Sequence, residues 1–171
     1  MPQLSMYRAS VTVPLQILTA QLDILNKAAA HCAAKKIDEA TLINMRLFPD
    51  MFPLARQIRV MTGMALAALR IAGVELPKFE DNETTFEQLK ARISKVIDLL
   101  KGIKPEQVDG SEDRDVVLQM MAGPKTFKSA NYLLGFAMPN FYFHATTTYN
   151  ILRHCGVELG KKDFMGDYSG T

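Results

Sequence analysis

Residues 140–156 read NFYFHATTTYNILRHCG. Their apolar and small side chains recur every three or four residues, which predicts one buried stripe along an α-helix. Gly156 is predicted to end this helix, because glycine readily adopts the left-handed backbone conformation that follows a last helical turn. We expect the helical region to run from about Ser129 to Cys155, with Pro139 either kinking it or dividing it in two. The stripe consists of Phe141, Ala145, Thr148, Leu152 and Cys155.

Three earlier segments carry the same helical spacing. A first helix is predicted over 15–32, where apolar residues alternate at three- and four-residue steps. A second is predicted to begin near Met51, with a proline tolerated in its first turn, and to stop at Gly73. A third is predicted over 84–100, opening with Thr84 and Glu87 as a capping box.

A short β-hairpin is predicted between the third and last helices. Val116–Met121 and Lys125–Lys128 have strand-forming composition, and Ala-Gly-Pro separates them. The acidic stretch 109–115 before them is most simply a solvated loop. The fold class is therefore all-α, a four-helix bundle with a small hairpin insert before the last helix, forming one domain over 1–171. The longer connectors can cross an end of the bundle, so simple up-down connectivity is not implied.

One internal similarity supports the predicted helix ends. Residues 69–76 (LRIAGVEL) and 152–159 (LRHCGVEL) are identical at six of eight positions. Both fit the same helix stop, in which glycine takes the left-handed position and the next valine packs back onto the last turn. A duplicated helix pair and two independent uses of one good stop explain the match equally well.

Composition and charge limit the classes of partner. The 171 residues are 48% hydrophobic, and 20 Lys and Arg oppose 18 Asp and Glu for a net charge of +2. Without a basic stripe, we expect no nucleic-acid partner. No apolar run reaches the 18 residues of a membrane span, and the first ten residues lack signal-peptide features, so we expect a cytoplasmic protein without a membrane role. The two cysteines are expected to be reduced thiols.

Two histidine–cysteine pairs offer a zinc-compatible set of ligands. His31-Cys32 and His154-Cys155 both lie near predicted helix ends. Adjacent helical residues point about 100° apart, so neither pair easily directs both groups at one ion. The simpler interpretation is that the cysteines end apolar stripes and the histidines are exposed at the negative ends of helix dipoles.

The third histidine lies beside the apolar stripe of the last helix. His144 shares a helical face with Asn140 and with Thr147 or Thr148, three or four residues away. A polar strip beside a buried stripe is what a pocket between helices requires. The alternative is a half-buried histidine that forms a hydrogen bond to a neighbouring helix.

The connector before the second helix contains a second group of polar side chains, Arg46, Asp50, Arg56 and Gln57, among prolines and aromatic residues. This segment could cover a pocket at the end of the bundle. Alternatively, Asp50 serves as the N-cap of the second helix and the arginines face water.

The last helix is similar to that of the DinB-like superfamily. The pattern is Asn140, three residues, His144, eight residues, Arg153, two residues and Gly156. In that superfamily two histidines four residues apart are followed by a Leu-Arg pair and a glycine. Five stretches along the chain resemble one uncharacterised bacterial branch of the superfamily, over Tyr7–Val11, Pro49–Leu54, Phe79–Thr85, Asn140–His144 and Gly160–Phe164.

The resemblance implies a four-helix bundle that is often a homodimer. Relatives hold a divalent metal with three histidines and use it to activate thiols such as bacillithiol or mycothiol, or to isomerise maleylpyruvate. Carried over to this chain, the second histidine of the last helix is His144, and the first is replaced by Asn140. The third belongs early in the second helix, where Gln57 stands at about the right distance.

These replacements alter the expected chemistry. Carboxamide oxygens are weak ligands for zinc or nickel, so we expect the metal site to be lost or remodelled, with His144 a metal ligand only if a site is retained. Two functions follow. The first is a binding or interaction protein that keeps a pocket for an unknown small molecule near His144. The second is an enzyme in which His144 is a general base or the only nitrogen ligand, with Asn140 or Gln57 orienting the substrate.

Overall fold

The computed structural model describes residues 5–169. Four long helical stretches dominate this range, two of them preceded or interrupted by a wider π-helical turn. In chain order the elements are a π-helical turn (Arg8–Thr12), α1 (Val13–Lys35), α2 (Glu39–Ile43), α3 (Leu54–Ala65), α4 (Ala67–Ala72), α5 (Phe86–Lys101), α6 (Pro105–Val108), β1 (Asp115–Met120), β2 (Gly123–Lys128), α7 (Ser129–Tyr132), a second π-helical turn (Leu133–Ala137), α8 (Met138–His154) and α9 (Lys161–Met165).

The long helices pack around one apolar core. Helix α3 lies against α8 and α5, α1 lies against α5 and α8, and α9 returns to cover α1. Phe86 and Phe141 are the largest side chains fully enclosed between them. The all-α four-helix bundle with a hairpin before its last helix is thereby confirmed. No helix within residues 5–169 is both long and apolar enough to cross a membrane. The prediction of one domain over 1–171 extends beyond the described residues at both ends.

The second helix begins later than the sequence suggested. It starts at Leu54 rather than Met51, and Pro53 is its N-cap with an extended backbone (ψ 162°) instead of lying in the first turn. The reason is that a residue before proline is disfavoured in helical conformation, which excludes Phe52 from the helix. Leu66, with ψ at 11°, then separates α3 from α4. The connector also contains the short helix α2, which Asp38 caps.

The capping box of the third helix is one residue further along than predicted. The Gln88 backbone N–H donates to Thr85 Oγ1 at 3.2 Å, and Gln88 Oε1 accepts from the Thr85 N–H at 3.3 Å. Glu87, the predicted partner of Thr84, instead forms an ion pair with Lys90. Two consecutive threonines followed by Glu and Gln satisfy the box pattern in either register, which explains the error.

Both copies of the repeated helix stop have the predicted backbone. Gly73 and Gly156 are left-handed, with φ at 72° and 87°. In each case the N–H of the following valine donates to the carbonyl five residues earlier, at 2.9 Å for Val74 and 3.1 Å for Val157. The prediction that the valine packs back is correct only for Val157, which is 1% exposed, whereas Val74 is 39% exposed.

The hairpin is antiparallel and tightly closed. Its register pairs Asp115 with Lys128 and Met120 with Gly123, so its second strand begins two residues before the predicted Lys125. Val116 and Leu118 face the bundle and are buried. The opposite face exposes Val117, as strand alternation requires.

The last helical region neither breaks nor ends at Pro139. Helix α7, the second π-helical turn and α8 follow one another without a gap, and Pro139 lies in the first turn of α8. Because proline has no N–H, it cannot form the α-helical bond to the fourth residue before it. The change in helical pitch over Leu133–Ala137 lies immediately before the proline.

Candidate functional site

The candidate site lies where α8 meets α3. His144 is 7% exposed and Gln57 is 1% exposed, and these side chains face each other across the two helices. His144 Nδ1 and Gln57 Oε1 are 2.6 Å apart. The hydrogen bond to a neighbouring helix is therefore present, as the alternative interpretation held, but the histidine is buried rather than half-buried.

The hydrogen bonds of Gln57 fix the protonation of His144. The Gln57 side-chain NH₂ donates to the Phe52 carbonyl at 2.9 Å, and a carbonyl can only accept. Gln57 Oε1 must therefore face His144, and since it also can only accept, Nδ1 carries the proton. In the neutral imidazole this leaves the lone pair on Nε2. Within residues 5–169, Nε2 has no hydrogen-bond partner.

Aromatic rings enclose the imidazole on two sides. The Phe52 ring is nearly parallel to it, with centroids 6.3 Å apart and planes inclined at 7°. The Phe143 ring meets it edge-on at 5.2 Å. Arg56 covers the Phe52 ring with its guanidinium carbon 3.7 Å from the centroid, a cation–π contact that orients the ring.

A small pocket opens beside the imidazole. Its volume is about 200 Å³, and Phe143 and the exposed Asp50 contribute to its walls. Asp50 is not the N-cap of the second helix, as one sequence interpretation held, because Pro53 has that position. The full lining is Asp50, Met51, Phe52, Gln57, Phe143 and His144.

Three of the residues expected at the pocket lie outside its lining. The Asn140 amide donates to the Phe136 carbonyl at 2.7 Å, one turn back along its own helix. The Thr148 hydroxyl donates to the His144 carbonyl at 2.9 Å and is completely buried. Arg46 is exposed and donates to the Met51 carbonyl, so its role is to hold the connector in shape.

Neither aromatic wall of the pocket was predicted from the sequence. Phe143 directly precedes His144, but on a helix neighbouring residues point in different directions, which gave no reason to place it at the site. Phe52 was noted only as one of several aromatic residues in the connector. Its position before Pro53, which forces it out of the helix, is the signal that could have indicated a wall.

Burial sets the charge of the imidazole. Removal from water lowers the pKa of His144 below its ordinary value of 6.5. The side chain is therefore neutral at pH 7, with Nε2 available as a hydrogen-bond acceptor or a base. Asp50 adds a second acceptor at the rim.

The donor set does not fit the three-histidine metal centre that the resemblance implies. Gln57 Oε1 is engaged with the Nδ1 proton, so the pocket offers one imidazole nitrogen and one exposed carboxylate. Among the described residues, no group of three or more His, Cys, Asp or Glu side chains could hold a metal ion.

The two histidine–cysteine pairs come together without forming such a group. A Cβ added to Gly156 would lie 3.8 Å from the His31 ring, so the two helix ends meet. Cys32 is buried and Cys155 is partly buried, and burial raises the pKa of both thiols, which disfavours the thiolates that zinc requires. The simpler interpretation, in which both histidines are exposed, is correct for His154 and wrong for His31, which is partly buried.

Comparison with known proteins agrees with the fold and leaves the activity open. No match was found among curated proteins. A crystal structure of a DinB family member protein from Shewanella denitrificans is 33% identical in sequence and superposes with a TM-score of 0.85, covering 95% of this chain and 93% of that one. A family model described as a domain of unknown function, DUF1993, matches residues 6–165. The chain therefore belongs to the DUF1993 family and is a DinB-like helical-bundle protein.

Proposed function

We propose that this domain binds a small planar molecule carrying a hydrogen-bond donor, in the pocket beside His144. The hydrogen-bonded chain from Phe52 through Gln57 to His144 carries this proposal, because it leaves the Nε2 lone pair as an acceptor. Phe52 and Phe143 supply aromatic surfaces for a planar ring. Such a pairing of apolar walls with a few fixed polar atoms is typical of ligand sites.

Phenol and toluene test this proposal because they have the same ring and differ only in carrying a hydroxyl donor or a methyl group of similar size. In an NMR titration, phenol is expected to shift the His144 Nε2 resonance saturably, and toluene is expected to bind more weakly. His144→Phe, followed through the signals of the ligands themselves, should abolish the preference for phenol, whereas His154→Phe, at an exposed histidine, should leave it unchanged. Equal binding of phenol and toluene, or an unchanged preference in His144→Phe, would contradict the proposal.

A second candidate is an enzyme in which His144 is the general base. The fixed tautomer and the lowered pKa favour it, since a base must be unprotonated at the working pH. Nε2 would accept the proton of a bound hydroxyl or thiol. S-conjugation of bacillithiol to a fluorogenic electrophile tests this function. A loss of about a hundredfold or more in His144→Ala would support general base catalysis, and equal rates would exclude it for this reaction.

The metal content of the protein distinguishes a pocket that works without a metal, the metal-free proposal, from a metal site rebuilt with other ligands. Untagged protein purified without chelator would be incubated with zinc, nickel and manganese and then examined by elemental analysis. We expect no stoichiometric ion that depends on His144. One tightly held ion per chain, absent from His144→Ala, would contradict the metal-free proposal and favour a metal-dependent transferase or isomerase.

We also propose a homodimer in the bacterial cytoplasm. Several large apolar side chains are exposed, among them Phe48 at 64%, Leu134 at 61% and Phe143 at 56%. Exposed apolar surface of this kind suits an interface between copies. The free thiols Cys32 and Cys155 suit a reducing compartment. A monomer mass from light scattering at micromolar concentration would refute the dimer.

A further inference from the structure

A second pocket lies between the bundle and the β-hairpin. Its volume is about 480 Å³, within the range of small-molecule sites, and it shares no residue with the pocket at His144. Helices α3 and α4 form one side, β1 and the hairpin turn form another, and α7 with the π-helical turn completes it. The residues that carry the argument are Gly63, Met64, Arg70, Met120, Tyr132 and Phe136.

Arg70 brings a positive charge into this pocket. It is partly buried, and its Nε atom is fully buried with no hydrogen-bond partner. None of the ion pairs formed within residues 5–169 includes Arg70. A partly buried guanidinium charge without an ion-pair partner is costly, and an anionic group that pairs with it from the pocket would lower that cost.

Tyr132 supplies a second polar group next to Arg70. Its side chain is 2% exposed. Burial raises the pKa of Tyr132, and the neighbouring Arg70 opposes this through its charge and a hydrogen bond to the hydroxyl without reversing it, so the hydroxyl stays protonated. The pocket therefore has a guanidinium and a phenolic O–H side by side, both able to donate hydrogen bonds.

The rest of the lining is largely apolar. Met64 and Phe136 come from the helices, and Met120 and Met121 come from the end of the hairpin. Methionine side chains are unbranched and flexible, so such walls adapt to a chain-like ligand. Met121, in the hairpin turn, lines the pocket from its edge and is fully exposed.

Gly63 keeps the pocket open. It lies within α3, where glycine costs roughly 0.5–1 kcal/mol relative to alanine. A Cβ built at Gly63 would meet nothing within 4 Å, and its φ is not in the left-handed region. Neither backbone conformation nor close packing requires glycine at this position, so its effect is to leave space in the pocket.

We propose that this pocket binds an alkyl monocarboxylate of medium chain length. The carboxylate pairs with the Arg70 guanidinium and the Tyr132 hydroxyl, and the chain lies among Met64, Met120 and Phe136. A guanidinium can donate two parallel hydrogen bonds to the two oxygens of a carboxylate, which makes this head group a good fit. The proposal is independent of the function assigned to the pocket at His144.

The test uses decanoate and 1-decanol with protein whose methionine methyl groups are labelled with ¹³C. Decanoate is expected to shift the methyl signals of Met64, Met120 and Met121 saturably, while Met138, outside this pocket, stays unchanged. Arg70→Gln removes the charge that pairs with the carboxylate and should weaken decanoate binding by about tenfold to a hundredfold. Arg70→Lys keeps the charge and should weaken binding less.

Gly63→Leu separates occupancy of the pocket from damage to the fold. The leucine should fill the pocket and abolish the methionine shifts, while the melting temperature holds or rises because a helical glycine is replaced. Gly135→Leu is the matched control, since a Cβ there also meets nothing within 4 Å and Gly135 does not line the pocket. Unchanged binding in a folded Gly63→Leu variant, equal binding of 1-decanol, or no saturable binding of decanoate would overturn the proposal.

Discussion

Two polar clusters lie beside α3, one at its contact with α5 and the other at its contact with α8. They differ in how completely their hydrogen bonds are formed. Arg92 on α5 donates to the Thr62 hydroxyl at 2.7 Å, to Asp81 at 2.6 Å and to Glu83 at 2.8 Å. Arg59 also donates to the Glu83 carboxylate, at 2.7 Å. The cluster at His144 has one hydrogen bond to Gln57 and leaves Nε2 without a partner within residues 5–169.

This difference separates a stabilising cluster from one that can receive a ligand. Arg92 is 7% exposed, and the Phe79 ring also lies against its guanidinium, at 4.1 Å from the ring centroid. A charge so fully paired has no capacity left for a ligand. The stretch Phe79–Thr85 is one of those that resembled the DinB-like branch. Its residues have a structural role, because they contact Arg92 and cap α5.

The largest effect is expected from Arg92→Ala. It should lower the free energy of unfolding by about 3 kcal/mol, because it leaves Glu83 and Asp81 without their shared partner. Chemical denaturation measures the change. Arg56→Ala is the control, an exposed arginine with one cation–π contact, and should cost less than about 1 kcal/mol. Equal effects of the two variants would show that the Arg92 cluster does not stabilise the fold in this way.

A smaller effect is expected from His144→Phe. The ring shape is kept, and the main loss is the hydrogen bond to Gln57 Oε1, which costs about 1 kcal/mol. The same denaturation experiment measures it. A loss as large as that of Arg92→Ala would mean that the His144 cluster stabilises the fold as strongly as the Arg92 cluster does. The proposed difference between the two clusters would then be wrong.

The smallest effect is a difference in pH dependence. Burial lowers the pKa of His144 below 6.5, so the folded protein binds a proton there less readily than the unfolded chain. Its stabilising contribution is complete above pH 6.5 and is lost as the pH falls from 6.5 through the lower folded-state pKa. Denaturation at stepped pH should show this loss in the natural sequence and not in His144→Phe.

Glu83 is expected to respond in a lower pH window. Burial raises its pKa, but hydrogen bonds from Arg92 and Arg59 outweigh this and hold the pKa below its usual 4.5. The contribution of Glu83 is therefore complete above pH 4.5 and is lost as the pH falls through its folded-state pKa. A loss of stability above pH 5 that persists in His144→Phe would contradict this assignment of the two windows.

Local sequence signals predicted the helices well and their partners poorly. The stops at Gly73 and Gly156 follow from glycine's backbone freedom, which is a local property. The contact between Gln57 and His144 joins residues 87 apart in sequence, and no periodicity encodes which helices meet. Only the family resemblance placed these two residues at one site. No sequence feature predicted the pocket at Arg70, since an arginine in a last helical turn is ordinarily explained by the helix dipole.

The π-helical turn at Leu133–Ala137 sets the relative direction of the two pockets. Tyr132 precedes this turn and faces Arg70, whereas His144 follows it and faces Gln57. A π-helical turn accommodates one more residue than an α-helical turn, and each residue of an α-helix advances about 100° around the axis. Deleting one residue from this turn would therefore be absorbed by a return to α-helical pitch, with the two flanks still facing the same way, whereas deleting a further residue would rotate them against each other by about that angle. The hairpin pocket and the histidine pocket could then not both keep their partners, so the length of this segment is as constrained as its composition.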